Sequence, residues 1–188
     1  MERSFEAVLV EQCATTLAGV KPASLFRYQG ADQRQSREAA ARWAKELAPY
    51  GITVRILKVC PQTGACLIYL YRAGWLRSIL SEPSNRAFLA RQGYQTDQDC
   101  PGLLRQLFRR LCLEREYPHE IGVFLGYPLE DVVGFIENRG RNYTCCGCWK
   151  AYGDPEAARR RFDQYRRCTA ACKERFRRGA PITQLIAA

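Results

Sequence analysis

The segment of residues 118–136 constrains the fold of this chain more than any other part of the sequence. It begins with Pro118-His119-Glu120, continues as a short apolar run over residues 121–125, and reaches a second apolar run through Gly126-Tyr127-Pro128. The first run is typical of a buried strand. The second run, residues 129–138, follows a proline and carries two acidic residues in its first turn, which is typical of a helix. The segment therefore predicts a strand, a turn and a helix next to the only histidine of the chain.

The alternation of helical and extended patterns predicts an α/β fold. A chain of 188 residues is long enough to form one domain with its own core. Helices are predicted at residues 2–13, 33–49, 73–80, 84–92, 99–114, 129–138 and 155–178, and strands at 24–28, 52–59, 66–71, 121–125 and 143–152. The second and third strands flank a turn and predict a hairpin. This order predicts a single domain over residues 1–188, in which helices pack on one mixed sheet of about five strands.

Composition predicts a cytoplasmic protein rich in thiols. No apolar run approaches the roughly 20 residues that a membrane-spanning helix needs, and the N-terminal residues lack the layout of a signal peptide. The ten cysteines are therefore expected to be thiols or metal ligands rather than disulfides. The formal charge is +10, and residues 139–178 hold twelve basic against four acidic residues, so an anionic partner would bind there.

The pair His119-Glu120 is the first candidate for catalysis. Histidine is the side chain most readily used for proton transfer near neutral pH, and it also binds metals. The alternative is that His119 hydrogen-bonds a loop while Glu120 faces water. A catalytic role would require a second group from elsewhere in the chain, and the sequence does not identify one.

The loop from Cys13 to Lys21 is the second candidate, as an anion site. Thr15, Thr16 and backbone N–H groups can cradle an anion, and Lys21 can supply charge. Cys13 is a candidate nucleophile, and buried packing is the alternative. If the strands at 24 and 121 run parallel, this loop and His119 lie at one sheet edge, where the turn ending at Asn142 can join them. The opposite edge would instead present Gly126 and Tyr127, the side where open parallel sheets usually bind ligands.

The C-terminal region offers two alternatives of a different kind. Residues 155–178 predict a basic amphipathic helix, whose arginines suit nucleic-acid phosphates: Arg159, Arg160, Arg161, Arg166 and Arg167. Four cysteines have the spacing of two zinc-binding pairs: Cys145, Cys148, Cys168 and Cys172. Cys172 also falls on the apolar stripe of the helix, which favours packing. His119 is the other candidate ligand for a metal or haem, and a single histidine rules out bis-histidine haem within one chain.

Three segments, residues 13–21, 118–132 and 142–153, resemble an uncharacterised bacterial family, a domain of unknown function frequent in anaerobic Firmicutes. The resemblance implies a single-domain bacterial cytoplasmic protein and no established activity. The matching residues are Cys13, Lys21, His119, Glu120, Gly126, Tyr127, Trp149 and Lys150, and on this basis Lys150 is a candidate ligand-binding residue. Gln12 stands where the family often has histidine, and Cys148 where it often has an aromatic residue, which weakens the zinc hypothesis. The preferred hypothesis is an anionic small-molecule or cofactor site, with a thiol- and histidine-dependent enzyme left open.

Overall fold

The computed structural model describes residues 3–114 and 116–187, so the predicted first residue of the first helix, residue 2, lies outside the described residues. The described residues form an α/β fold whose elements, in chain order, are α1 (Phe5–Leu17), β1 (Ala23–Tyr28), α2 (Gln33–Leu47), β2 (Ile52–Val59), β3 (Cys66–Arg72), α3 (Ala73–Ser81), α4 (Pro83–Arg91), α5 (Cys100–Leu113), α6 (Ile121–Phe124), α7 (Leu129–Glu137), β4 (Cys145–Cys146), β5 (Lys150–Ala151) and α8 (Pro155–Arg177). No helix in these ranges is both long and apolar enough to cross a membrane.

Residue contacts divide the chain into two compact units. Unit 1 comprises Met1–Trp75 and Arg167–Ala188, and unit 2 comprises Leu76–Arg166. Helix α8 begins in unit 2 and ends in unit 1. The expectation that the whole chain folds as a single domain stays a prediction.

Unit 1 contains an antiparallel sheet of three strands in the order β1-β3-β2. The predicted hairpin of β2 and β3 is confirmed, with Val54 opposite Leu70 and Ile56 opposite Ile68. The central strand β3 is buried along most of its length, as its continuous apolar sequence predicts. Helices α1 and α2 contact this sheet, and the apolar core includes Leu9, Leu17, Leu47, Ile68 and Leu70.

The predicted mixed sheet of about five strands is wrong in two respects. Residues 121–125 form the short helix α6 and its cap rather than a strand. Residues 143–152 contain only the two-residue strands β4 and β5, which form a separate antiparallel sheet. A short apolar run reads the same in a buried strand and in a buried helix, so periodicity alone could not separate them. The first helix, predicted to end at residue 13, continues to Leu17, so the loop that follows it is shorter than predicted.

Unit 2 places α7 against the small β4–β5 hairpin. The Cβ of an alanine at Gly134 in α7 would lie 2.4 Å from Cγ of Tyr152, which follows β5. At Gly147, in the turn of the hairpin, a Cβ would lie 2.3 Å from the ring of Phe162 in α8. Both glycines therefore permit the close packing that surrounds the site described next.

Candidate functional site

Unit 2 contains a cavity of about 390 Å³ between the α6–α7 region and the β4–β5 hairpin. Its walls are mainly apolar, with a few polar groups, as is typical of small-molecule sites. The lining residues are His119, Ile121, Gly122, Tyr127, Asp131, Val132, Phe135, Cys146, Gly147, Cys148, Trp149 and Lys150. Three of the predicted catalytic or ligand-binding residues, His119, Tyr127 and Lys150, thus line one cavity, together with Cys148, a candidate in the zinc alternative.

Trp149 forms the central aromatic surface of this cavity. Its ring stacks on Tyr127, with centroids 4.9 Å apart and planes inclined by 21°. It also packs edge-to-face against Phe162, with centroids 4.5 Å apart, and lies 6.1 Å from the ring centroid of Tyr165. Burial raises the pKa of Tyr127 to about 12, so its hydroxyl stays protonated at neutral pH. The two stacked rings are therefore a rigid, uncharged wall.

Asp131 fixes Trp149 in position. The Oδ2 atom of Asp131 accepts a hydrogen bond from the indole Nε1 of Trp149 at 2.7 Å. Its Oδ1 atom accepts from the backbone N–H of Tyr152 at 2.6 Å and of Gly153 at 3.1 Å. The carboxylate is buried and lies in the first turn of α7, where the helix dipole favours a negative charge. Asp131 therefore connects α7 to the hairpin that carries Trp149.

Lys150 places a positive charge at the cavity. Its Nζ donates a hydrogen bond to the carbonyl oxygen of Gly140 at 2.8 Å, just beyond the C-terminus of α7. The same atom lies 5.0 Å from the ring centroid of Tyr143 and 6.0 Å from that of Phe135. No carboxylate within residues 3–114 and 116–187 forms a salt bridge with it. An ammonium group has three N–H donors, so two remain for a ligand.

His119 lies on another part of the cavity wall and is exposed. Its ring centroid is 4.9 Å from that of Phe135 and 5.7 Å from that of Tyr117. Neither ring nitrogen has a hydrogen-bond partner in the described part of the chain. A ligand in the cavity can therefore use His119 as a donor or an acceptor. Its role as acid, base or ligand stays a prediction.

Glu120 does not line the cavity. Its carboxylate is buried, and Oε1 accepts hydrogen bonds from the Tyr94 hydroxyl at 3.0 Å and from the Arg110 guanidinium at 3.2 Å. Burial and the Glu120 charge raise the pKa of Tyr94, which keeps its hydroxyl a donor. These contacts support a structural role for Glu120 and give no support to the predicted catalytic one.

The Cys13–Lys21 region belongs to unit 1, and its geometry gives no support to an anion cradle. The region is the C-terminus of α1, where the helix dipole disfavours anions. The backbone N–H groups that would bind an anion are already bonded, those of Val20 and Lys21 to the carbonyl oxygen of Thr15. Thr16 is buried and its hydroxyl is hydrogen-bonded to that of Ser24 at 2.8 Å. Burial also raises the pKa of Cys13, which opposes thiolate formation.

The expected approach of the Cys13–Lys21 loop to His119 at one sheet edge required parallel strands at 24 and 121. That premise is wrong, because residues 121–124 are helical and β1 pairs antiparallel with β3. Two further candidates, Gly126 and Asn142, do not line the cavity. Both have positive φ values, 75° and 56°, which suit turns.

The arginines of α8 differ in their partners. Arg160 pairs with Asp154 and Glu156, and Arg166 pairs with Asp163. Arg159, Arg161 and Arg167 are exposed and have no salt bridge within the described ranges.

The four candidate zinc ligands lie in different units, Cys145 and Cys148 in unit 2 and Cys168 and Cys172 in unit 1. Across the described residues, no group of three or more histidine, cysteine or carboxylate side chains is arranged to hold a metal ion.

Sequence reasoning missed Asp131, Phe135 and Cys146 as cavity residues. The sequence pattern relates Asp131 only to the helix dipole, and its hydrogen bond to Trp149, eighteen residues later, has no signal in the spacing. Nothing in the spacing of Phe135 or Cys146 indicated a shared cavity, because the hairpin brings them together only in three dimensions.

The fold and the cavity define an α/β protein with an aromatic pocket that carries one lysine and one histidine. The family model described as protein of unknown function (DUF3793) matches residues 9–186, so the chain belongs to this family. The predicted membership of an uncharacterised family is thereby confirmed. Comparisons with curated proteins and with solved structures give no match.

Proposed function

We propose that the unit 2 cavity binds a small anionic molecule with a flat apolar or aromatic body. The observation that carries this proposal is Lys150, whose ammonium group has no carboxylate partner in the described residues and lies at a cavity with aromatic walls. The stacked pair of Trp149 and Tyr127 offers a surface for a flat ring system. The Lys150 ammonium and the exposed His119 supply polar contacts for an acidic group, as expected for an orienting polar cluster.

Trp149 provides a direct measurement of binding. The chain has three tryptophans, so replacing Trp43 and Trp75 with phenylalanine leaves Trp149 as the sole reporter. We would titrate this variant with anilinonaphthalene sulfonate, a flat anion, and with phenylnaphthylamine, a neutral molecule of similar shape. The anion should bind more tightly and change the Trp149 emission. Adding Lys150→Met should lower the affinity for the anion by roughly 10- to 100-fold, because a hydrogen bond to a charged group contributes about 1.5–3 kcal/mol.

The matched control is Lys45→Met, which removes an exposed lysine of unit 1. It should leave the affinities for both probes unchanged, and Lys150→Met should leave the affinity for the neutral probe unchanged. The proposal would be contradicted if Lys150→Met lowered the affinities for both probes equally, or if it left the affinity for the anion unchanged. If the expected pattern is found, mass spectrometry of small molecules released from the purified protein would identify the natural ligand.

Nucleic-acid binding by α8 is the second candidate function. It is favoured by the exposed Arg159, Arg161 and Arg167, whose charges are not compensated by salt bridges in the described residues. Arginine forks suit phosphate oxygens, and each phosphate contact steepens the salt dependence of binding. Replacing the three arginines with glutamate should abolish a gel shift with duplex DNA or RNA. The control replaces exposed Arg34 and Arg55 of unit 1, and equal affinity of all variants would exclude this function.

A further inference from the structure

The cavity of unit 2 also presents two thiols that the proposed function does not use. Cys146 and Cys148 both line the cavity and both are exposed. They are separated only by Gly147, and both are in the thiol form. Cys146 is the last residue of β4, and Cys148 lies in the bend of residues 147–149 that leads to β5.

The hairpin separates this pair from its neighbour Cys145. Side chains alternate between the two faces of a strand, and Cys145 packs with the buried cluster of Ala151, Ala158 and Phe162. Cys146, the next residue, therefore faces the other way and reaches the cavity. Gly147 lies against the ring of Phe162 with no room for a Cβ atom. Since the Phe162 side of the turn is filled, the two thiols on either side of Gly147 share the open cavity.

We propose that Cys146 and Cys148 form a dithiol site that exchanges with small disulfides entering the cavity. In the first step a thiolate of the pair attacks the disulfide R–S–S–R, forms a mixed disulfide and releases one R–S⁻. In the second step the other thiolate attacks the protein sulfur of the mixed disulfide and releases the second R–S⁻. The protein loses two protons and two electrons and gains one intramolecular disulfide, and the small disulfide is reduced to two thiols. Glycine between the cysteines leaves the backbone free to adopt the tight geometry that this closure requires.

The test uses the full chain with Cys60→Ser, which removes a thiol outside the cavity whose pKa is lowered by Thr63, and dithiobis(nitrobenzoate), an aromatic disulfide that releases a coloured thiol. At less than one equivalent of reagent, we expect two coloured thiols released for each disulfide consumed. Peptide mass spectrometry should then find Cys146 and Cys148 joined and two hydrogens lighter. With Cys148→Ser, one coloured thiol should be released and a stable adduct should remain on Cys146. With Cys146→Ser, one coloured thiol should again be released and the adduct should remain on Cys148.

The matched control is Cys145→Ser, which removes the neighbouring thiol that faces the buried cluster and should leave the stoichiometry at two. Stable adducts on both Cys146 and Cys148 of the Cys60→Ser chain, with no disulfide between the two, would overturn the inference. Thermal unfolding of each variant establishes that the fold is intact. Because thiol stoichiometry is measured rather than ligand affinity, the inference stands or fails independently of the proposed function.

Discussion

Glu120 stabilises unit 2 through a buried ion pair. Its carboxylate accepts hydrogen bonds from both Tyr94 and Arg110, and its side chain is 6% exposed. Glu120→Ala leaves the arginine and the tyrosine hydroxyl without this acceptor in a buried environment. We therefore expect the free energy of unfolding, measured by urea denaturation, to fall by about 3–5 kcal/mol.

The control for this prediction is Glu38→Ala, which breaks an exposed pair with Arg34. Exposed pairs contribute little, so the urea midpoint should not move. If Glu120→Ala also left the midpoint unchanged but abolished a cavity-dependent activity, the catalytic interpretation of Glu120 would replace the structural one.

Two cysteines of unit 1 should differ in reactivity for opposite reasons. Burial raises the pKa of Cys13, whereas the Thr63 hydroxyl, with the backbone N–H groups of Thr63 and Gln62, lowers the pKa of Cys60. Because the thiolate is the nucleophile, iodoacetamide at neutral pH should modify Cys60 and leave Cys13 intact. Thr63→Val should move the Cys60 rate profile to higher pH.

Thr53→Val, in strand β2 of unit 1, is the control and should not shift the profile. A profile that is identical in both variants would show that Thr63 does not stabilise the thiolate. The raised pKa of Cys13 also makes the stability of the fold depend on pH. As pH rises, the Cys13 thiol loses its proton in the unfolded chain before it does so in the folded chain. Stability should therefore fall above the ordinary thiol pKa.

At the scale of an element, the packing of α7 on the hairpin depends on Gly134. A Cβ at this position would lie 2.6 Å from Cβ of Tyr152, which is closer than real contacts allow. Gly134→Ala should lower the free energy of unfolding by roughly 1–3 kcal/mol because the helix must move away. Gly74→Ala is the matched control, since a Cβ there meets nothing within 4 Å and alanine favours helix α3 by about 0.5–1 kcal/mol. Stabilisation by both changes, measured in urea, would contradict the close packing.

Elements with strong local signals could be predicted from the sequence, and elements defined by tertiary packing could not. Strands β1, β2 and β3 were predicted because apolar and aromatic runs end at turn residues. Helix α8 was predicted at residues 155–178, and the segment Asp154-Pro155-Glu156 has the cap, proline and acid typical of a helix start. Asp154 does accept the N–H of Glu156 at 2.8 Å. The apolar run of α6 has no such signal, and four residues are too few to establish a period.

At the scale of the whole molecule, the site could be predicted only in part. His119, Tyr127 and Lys150 were candidates because their residue types bind or react in many sites, and they do line one cavity. The predicted grouping of His119 with Cys13 and Lys21 depended on parallel strands at 24 and 121, and residues 121–124 are helical instead. Trp149 matched the family pattern, but its place in the cavity follows from a hydrogen bond to Asp131, eighteen residues earlier in the sequence.

Whether both units unfold together can be tested with the Trp149 reporter, and we expect that they do. Helix α8 contributes Phe162 to the apolar cluster of unit 2 and Cys172 to the core of unit 1, so loss of either unit removes support from this helix. Leu47→Ala empties part of the unit 1 core and should lower stability by about 2–5 kcal/mol. With Trp43 and Trp75 replaced by phenylalanine, the urea midpoint of Trp149 fluorescence in unit 2 should fall with it, and Glu46→Ala should leave it unchanged. An unmoved Trp149 midpoint beside a shifted circular dichroism transition would mean that the units unfold independently, contrary to the single domain expected from the sequence.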